Sequence, residues 1–237
     1  MCRYCGKEKG WVFAMSEEVL TTKALFDLSH TAAAALLSRC VYPWEALEAL
    51  GAAIEEAGAA LSEEDYLHPA PTVWIHRTAQ VAQSAYLGER VIIGPETEVR
   101  HCAFIRGNAW IGANAVVGNS TELKNVILFD RVQVPHYNYV GDSILGYRAH
   151  MGAGSITSNV KSDKTPVTVN IRGDRVETGR EKCGAMLGDG VEVGCGSVLN
   201  PGTVIGRGSQ IYPLSSVRGY IPENSIYKAQ GEIVAKR

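Results

Sequence analysis

Side chains able to do chemistry crowd one stretch of this 237-residue chain. His136 sits in Val134-Pro135-His136-Tyr137-Asn138-Tyr139. Histidine is the side chain whose ordinary pKa suits proton removal near neutrality. Glu122, upstream, is suited to orient an imidazole and stabilise its cation. Arg106 and Lys124 suit a phosphate, Arg106 through its two-pronged fork. Tyr139 and Asn159 suit sugar hydroxyls or phosphate oxygens, and Asn119 adds an amide. The set fits general-base transfer to a nucleophile that must first lose a proton, such as an amine attacking a thioester, with no covalent enzyme intermediate. Singly, each of these residues is an ordinary solvated side chain; their occurrence together points to a site.

The elements that must position them follow a period of six. Ile75, Val81, Leu87, Ile93, Val99, Ile105, Ile111, Val117 and Leu123 are nine successive aliphatics at that spacing. The residue four places on is small or β-branched, as at Ala79, Thr97, Ala103 and Thr121. After a five-residue step the series runs Leu128, Val134, Val140, and after another Leu145, Met151; it returns as Leu187, Val193, Leu199, Ile205, Ile211, Val217. Six fits neither a helix nor a single alternating strand. It fits a coil of three flat sides, with residues 18 apart stacked and each coil covering the next. The expected fold is therefore an all-β solenoid, a parallel β-helix of hexapeptide repeats. The two five-residue steps frame the His136 segment, so the coil path is expected to be disturbed there.

Flanking regions read differently. Residues 1–19 are expected to form a frayed terminus and 20–70 a small N-terminal helical appendage. Ser29 is the expected N-cap of a helix over 30–40, and Pro43 opens a second helix with Leu47, Leu50, Ile54 and Leu61 on one side. The solenoid is expected over 71–220 and a C-terminal tail over 221–237. Residues 155–184 break the hexads and read as an extruded loop with a hairpin, Val167 to Ile171 alternating before the turn Arg172-Gly173-Asp174.

Composition narrows the partners. A net charge of −2 gives no bulk attraction to nucleic acid or to a membrane surface. No transmembrane run occurs, and Trp11 to Met15 is too short for a signal-peptide core, so a cytoplasmic chain with free thiols is expected. Cys2 and Cys5 form a C-x-x-C without the further ligands that a zinc site needs. His101, His136 and His150 lack the close histidine pair of a zinc-holding solenoid, so no metal is expected.

Three motifs carry a resemblance. Glu122-Leu-Lys-Asn, H-x-x-Y-V-G-D at 136–142 and G-A-G-S-I-T-S-N at 152–159 resemble the acetyltransferase domain of bifunctional glucosamine-1-phosphate acetyltransferase/N-acetylglucosamine-1-phosphate uridyltransferase. The resemblance spans roughly 75–228, and the 160–186 hairpin is similar to that of sugar-1-phosphate nucleotidylyltransferases carrying such a domain. It implies a left-handed β-helix, acetyl-CoA as co-substrate, an amino-sugar phosphate as acceptor, and a homotrimer with sites between subunits. It further implies His136 as base with Glu122 as its partner, Arg106, Lys124 and Tyr139 on the sugar phosphate, and Asn159 on the sugar. Departures accompany it. His150 stands where the family has a sugar-contacting Asn, Val160 where it has Tyr, and Cys195 where it has a Ser near the thioester. The arginine for the CoA phosphates is not evident, and Arg218 or Lys228 is the expected substitute. Residues 1–70 are too short for the uridylyl-transferring domain and lack its Gly-rich loop. The competing expectation is a non-catalytic β-helix that binds a sugar nucleotide or a separate nucleotidylyltransferase subunit.

Overall fold

A computed structural model of the chain describes residues 17–228 and 232–236. The frayed terminus expected over 1–16, with Cys2 and Cys5, lies outside the described residues. The architecture is a parallel β-solenoid. Its first face is the sheet running Gln80–Val81, Glu98–Val99, Val116–Asn119, Gln133–His136, His150–Met151, Glu192–Val193, Gln210–Ile211 and Ser225–Tyr227. Its second and third faces share one twelve-stranded sheet, because Tyr86–Ile93, Phe104–Ile111, Glu122–Leu128 and Tyr139–Leu145 bend from one face to the next without breaking. The aliphatic hexads stack in register: Val81 on Val99 on Val117, Leu87 on Ile105 on Leu123, Ile93 on Ile111 on Leu128. From Val99 and Ile93 upward these inward chains are almost completely buried. No single coil has a core, so burial is continuous only because each coil covers its neighbour.

The corners explain the remaining hexad positions. Each corner needs a left-handed residue, which Gly, Asn and Asp accept most readily. One column is Arg90, Asn108, Asn125 and Asp142, all with φ between 48° and 57°. Hydroxyls at the small hexad position close the corners from inside: Thr97 Oγ1 donates to the Gly112 carbonyl at 2.7 Å and accepts from Ala115 N at 3.0 Å.

The third face differs from the other two. Its outward residues Trp74, Ile92, Trp110, Ile127 and Ile144 are apolar and buried. The 14-residue helix Ala46–Ala59 covers them, burying Leu47, Leu50 and Ile54. It runs along the solenoid axis: Gly58 meets Trp74, Gly51 meets Arg90 and Asn108, and the Leu47 carbonyl accepts from Asn125 Nδ2 at 3.4 Å. Residues before it are pinned to another corner column. Asp189 accepts from Asp27 N at 2.7 Å and Tyr147 N at 2.8 Å, and Phe26 packs on Phe129 with centroids 5.0 Å apart.

Several expected boundaries move. Ser29 caps no long helix: Asp27 caps the short 3-10 turn Leu28–His30, and Ala34–Leu37 is a separate single turn. Glu17 and Glu18 are helical, inside the expected frayed terminus. Ile156–Thr157 still pairs within the solenoid, so the excursion begins after Thr157 and returns at Ala185. It carries the hairpin Thr168–Ile171 with Asp174–Glu177. The segment 221–227 is no tail; Ser225–Tyr227 completes a coil, and Ile233–Ala235 lies antiparallel on it. At the other end Tyr66–Ala70 lies antiparallel on Val73–His76. Among the described residues no helix is long and apolar enough to cross a membrane.

Candidate active site

The two five-residue steps shorten the corner between the second and third faces, at Lys124-Asn125 and at Gly141-Asp142. They do not disturb the His136 corner, contrary to the expectation above. In the pairing of Phe104–Ile111 with Glu122–Leu128 the register shifts between Ile105 and Gly107: Ile105 faces Leu123, yet Gly107 faces Lys124. Arg106 is the residue left over. A bulge re-aims its side chain out of the sheet, so the shortened coil above throws the guanidinium outward.

Five of the expected site residues meet on this second face, around a carboxylate that sequence reasoning missed. Asp142 is only 1% exposed. It accepts from Lys124 Nζ at 3.0 Å, Asn125 Nδ2 at 2.9 Å and Asn159 Nδ2 at 2.6 Å. Asn159 also reaches the Tyr139 hydroxyl at 3.3 Å. Arg106 Nη1 donates to Glu122 Oε1 at 2.8 Å, and that bond raises the guanidinium above its ordinary pKa. Burial, reinforced by Asp142 and Glu122, holds the Tyr139 phenol above its usual value, so it serves as a neutral donor. The root of the excursion closes over the cluster, with Gly184 N on the Asp142 carbonyl at 2.8 Å. Cys183 beside it is buried, its thiol pushed up to about 12 and kept protonated. The signal for Asp142 in the sequence is the last letter of H-x-x-Y-V-G-D.

His136 stands at the neighbouring corner, exposed at the end of Gln133–His136 and paired with Asn119. Asn138 fixes its backbone: Oδ1 accepts from His136 N at 3.1 Å, while Nδ2 donates to the Gly152 and Ser155 carbonyls. The imidazole has no hydrogen bond among the described residues. The Glu122 carboxylate bonds Arg106 and, among the described residues, not His136.

The other expected residues are spread along the solenoid. Asn119 spends its amide on the His101 carbonyl at 3.0 Å. Cys195 is an exposed thiol two coils above His136 in the same corner column, through Gly154 N on His136 O and Gly196 N on Ala153 O. Arg218 reaches Asn200 Oδ1 at 3.2 Å and edges a groove of about 320 Å³ that the excursion lines with Lys161 and Asp163. Lys228 pairs with Glu232 at 3.2 Å beside the last coil, remote from Arg106. His150 lies on the first face and binds Glu192 at 2.8 Å. Among the described residues no three His, Cys, Asp or Glu side chains gather into a metal site.

No family model matches the chain. A bifunctional protein GlmU of Methanococcus maripaludis is 45% identical over 73 residues, 31% of this chain and 18% of that protein. A bifunctional sugar-1-phosphate nucleotidylyltransferase/acetyltransferase of Sulfurisphaera tokodaii is 30% identical over 107 residues, 45% of this chain and 27% of that protein. The chain thus spans about a fifth to a quarter of the length of these relatives. A solved hexapeptide transferase family protein from Anaplasma phagocytophilum is 15% identical with a TM-score of 0.40, covering 70% of this chain and 79% of its own. The chain is a hexapeptide-repeat β-solenoid that resembles, over less than half of its length, the acetyltransferase-bearing bifunctional proteins of the GlmU type.

Proposed function

We propose that the chain is an N-acetyltransferase that moves an acetyl group from acetyl-CoA to the amine of an amino-sugar 1-phosphate, with His136 as general base. The observation that carries this reading is the convergence of Arg106, Lys124, Tyr139 and Asn159 on one face, around buried Asp142 and one corner away from an exposed histidine. Arg106 and Lys124 hold the phosphate, the Tyr139 hydroxyl donates to a sugar oxygen, and Asn159, whose Nδ2 is held by Asp142 and Tyr139, accepts from a sugar hydroxyl through Oδ1. His136 Nδ1 or Nε2 takes the amine proton as nitrogen attacks the thioester carbonyl, and the thiolate leaves with CoA. Glu122 acts through Arg106, which it orients; its partnership with His136 requires that it exchange partners when substrate arrives. Cys195 lies up the His136 edge, where this reading brings the thioester, and Arg218, one coil higher but at the opposite, Lys124 corner of the second face, suits a CoA phosphate.

Release of free thiol from acetyl-CoA, measured against a panel of amino-sugar phosphates, tests the reading. His136→Ala is expected to lose about 10²–10⁴ in kcat with little change in KM for acetyl-CoA. Full activity in that variant makes His136 a surface residue. A second reading, a non-catalytic solenoid that binds a sugar nucleotide or a nucleotidylyltransferase, draws on the absence of a Glu122–His136 bond among the described residues. No thiol release with any acceptor, combined with retained sugar-phosphate binding, favours it.

A further inference from the structure

Below the site, the second face continues as two exposed aromatic rings. Tyr86, Phe104, Glu122 and Tyr139 form one outward row, each paired in register with the next. Tyr86 is 60% exposed and Phe104 40%. Their rings meet edge-on, with centroids 5.4 Å apart and planes at 63°. The outward tryptophans of the third face, Trp74 and Trp110, are covered, and the other exposed rings of the solenoid, Tyr137 and Tyr212, stand outside this row, so the pair is the open aromatic surface in line with the site. Arg106 follows Phe104 by two residues and bulges from the same strand. Along the axis the order is therefore aromatic pair, guanidinium, the Glu122 carboxylate that binds it together with the Lys124 ammonium, then phenol and amide. Three coil spacings separate Tyr86 from Tyr139, about 14 Å at strand separation, a reach that suits an extended sugar diphosphate with a nucleoside at its far end.

We propose that Tyr86 and Phe104 are a nucleobase shelf, and that the acceptor is an amino sugar carried as its nucleoside diphosphate ester. This rests on the reading of Arg106 and Lys124 as the phosphate clamp. The base stacks on one ring and meets the edge of the other, the geometry that aromatic pairs prefer. The diphosphate spans Arg106 and Lys124, and the amino sugar reaches Tyr139, Asn159 and His136. Every base has a π-face and stacking tolerates all of them, so the shelf selects for a nucleoside more strongly than for which nucleoside.

Calorimetric titration of the full chain with inorganic pyrophosphate, UDP and CoA tests this, using Tyr86→Ala, Phe104→Ala, Tyr86→Phe, Arg106→Ala and Lys124→Ala. UDP is expected to bind about tenfold more tightly than pyrophosphate. Tyr86→Ala and Phe104→Ala erase that advantage, Tyr86→Phe keeps it, and Arg106→Ala weakens both ligands together. UDP binding no tighter than pyrophosphate overturns the shelf and leaves the phosphate clamp standing. Pyrophosphate binding that survives Arg106→Ala and Lys124→Ala overturns the clamp itself. Loss of CoA affinity in Tyr86→Ala, in step with UDP, assigns the shelf to the nucleotide end of CoA and overturns the acceptor assignment. A change of particle mass by light scattering in either alanine variant assigns the rings to a contact between copies, and also overturns the proposal. Unchanged melting curves for the variants exclude misfolding as the source of any loss.

Discussion

Removing the Asp142 carboxylate strands three donors at once: Lys124 Nζ, Asn125 Nδ2 and Asn159 Nδ2. An orphaned partner of a buried pair is costly, so Asp142→Ala is expected to lose about 3 kcal/mol in urea unfolding, less than a fully buried pair because Lys124 is partly solvated. Asp142→Asn keeps the shape, and its loss is smaller. Both raise KM for the sugar phosphate by freeing Lys124 and Asn159. Equal stability of Asp142→Ala and wild type removes Asp142 from this role. Tyr139 supplies a second check. Its phenol is raised above an ordinary value of 10.0, so it stays protonated through and beyond the neutral range. A basic limb of kcat/KM below pH 10 therefore does not belong to it. Tyr139→Phe weakens sugar-phosphate binding and leaves that limb in place; a displaced limb means that the phenol titrates during turnover. At this scale the sequence made the cations, Tyr139 and Asn159 visible because their types declare their chemistry. Asp142 stayed hidden because an aspartate in a turn is ordinary, and only its burial among three donors makes it the hub.

The helix Ala46–Ala59 is tied to the solenoid by close approach. A Cβ at Gly58 would sit 2.5 Å from the Trp74 indole, along its fused edge. Ala is the better helix former by about 1 kcal/mol, yet the overlap costs about 1–3 kcal/mol, and a retreat of the ring disturbs its stacking on His68. Gly58→Ala is expected to be net destabilising, read as a lower melting temperature with loss of appendage protection in hydrogen exchange. A stabilised variant means that the helix rides loosely on Trp74. Pro43 and the Leu47, Leu50, Ile54 spacing made this helix legible from sequence. Ser29 misled because a capping residue can serve elsewhere: its own amide is bound by Asp27. The five-residue steps were visible, but their effect was assigned to the wrong corner. Arithmetic along the hexads gives where a residue is missing only to within one side of the prism, whereas pairing shows that Lys124-Asn125 is short and Arg106 bulges.

At the level of the whole molecule, sheathing decides which surfaces are free. The helix and the hairpin cover the third face, and the segment from Leu20 to Cys40 lies along its corner with the first, so closure through the two barer faces is the arrangement we propose for copies of the chain. A homotrimer closed in this way is expected at three times 25.5 kDa, with the second-face site at a boundary between copies. Light scattering at micromolar concentration checks it, and a monomer mass overturns it. The sheath left a trace in the sequence: beside the inward aliphatics, the first face carries Gln80, Glu98 and Gln133, while the third carries Trp74, Ile92 and Trp110. Reading only every sixth residue passes over that contrast.

The reversed strands at the two ends bear on how such a rod avoids becoming a fibre. A parallel ladder that simply stopped would present a row of free amides and carbonyls, a template on which another chain could add one more rung. Here Tyr66–Ala70 turns back across the first coil, with Pro69 withholding a donor and a register break between Leu67 and Ala70 spoiling the edge, and Ile233–Ala235 turns back across the first-face strand of the last coil. One of the three edges at each end is thereby covered, which lowers the tendency of the same hexad that recruits coil after coil within one molecule to recruit the next molecule.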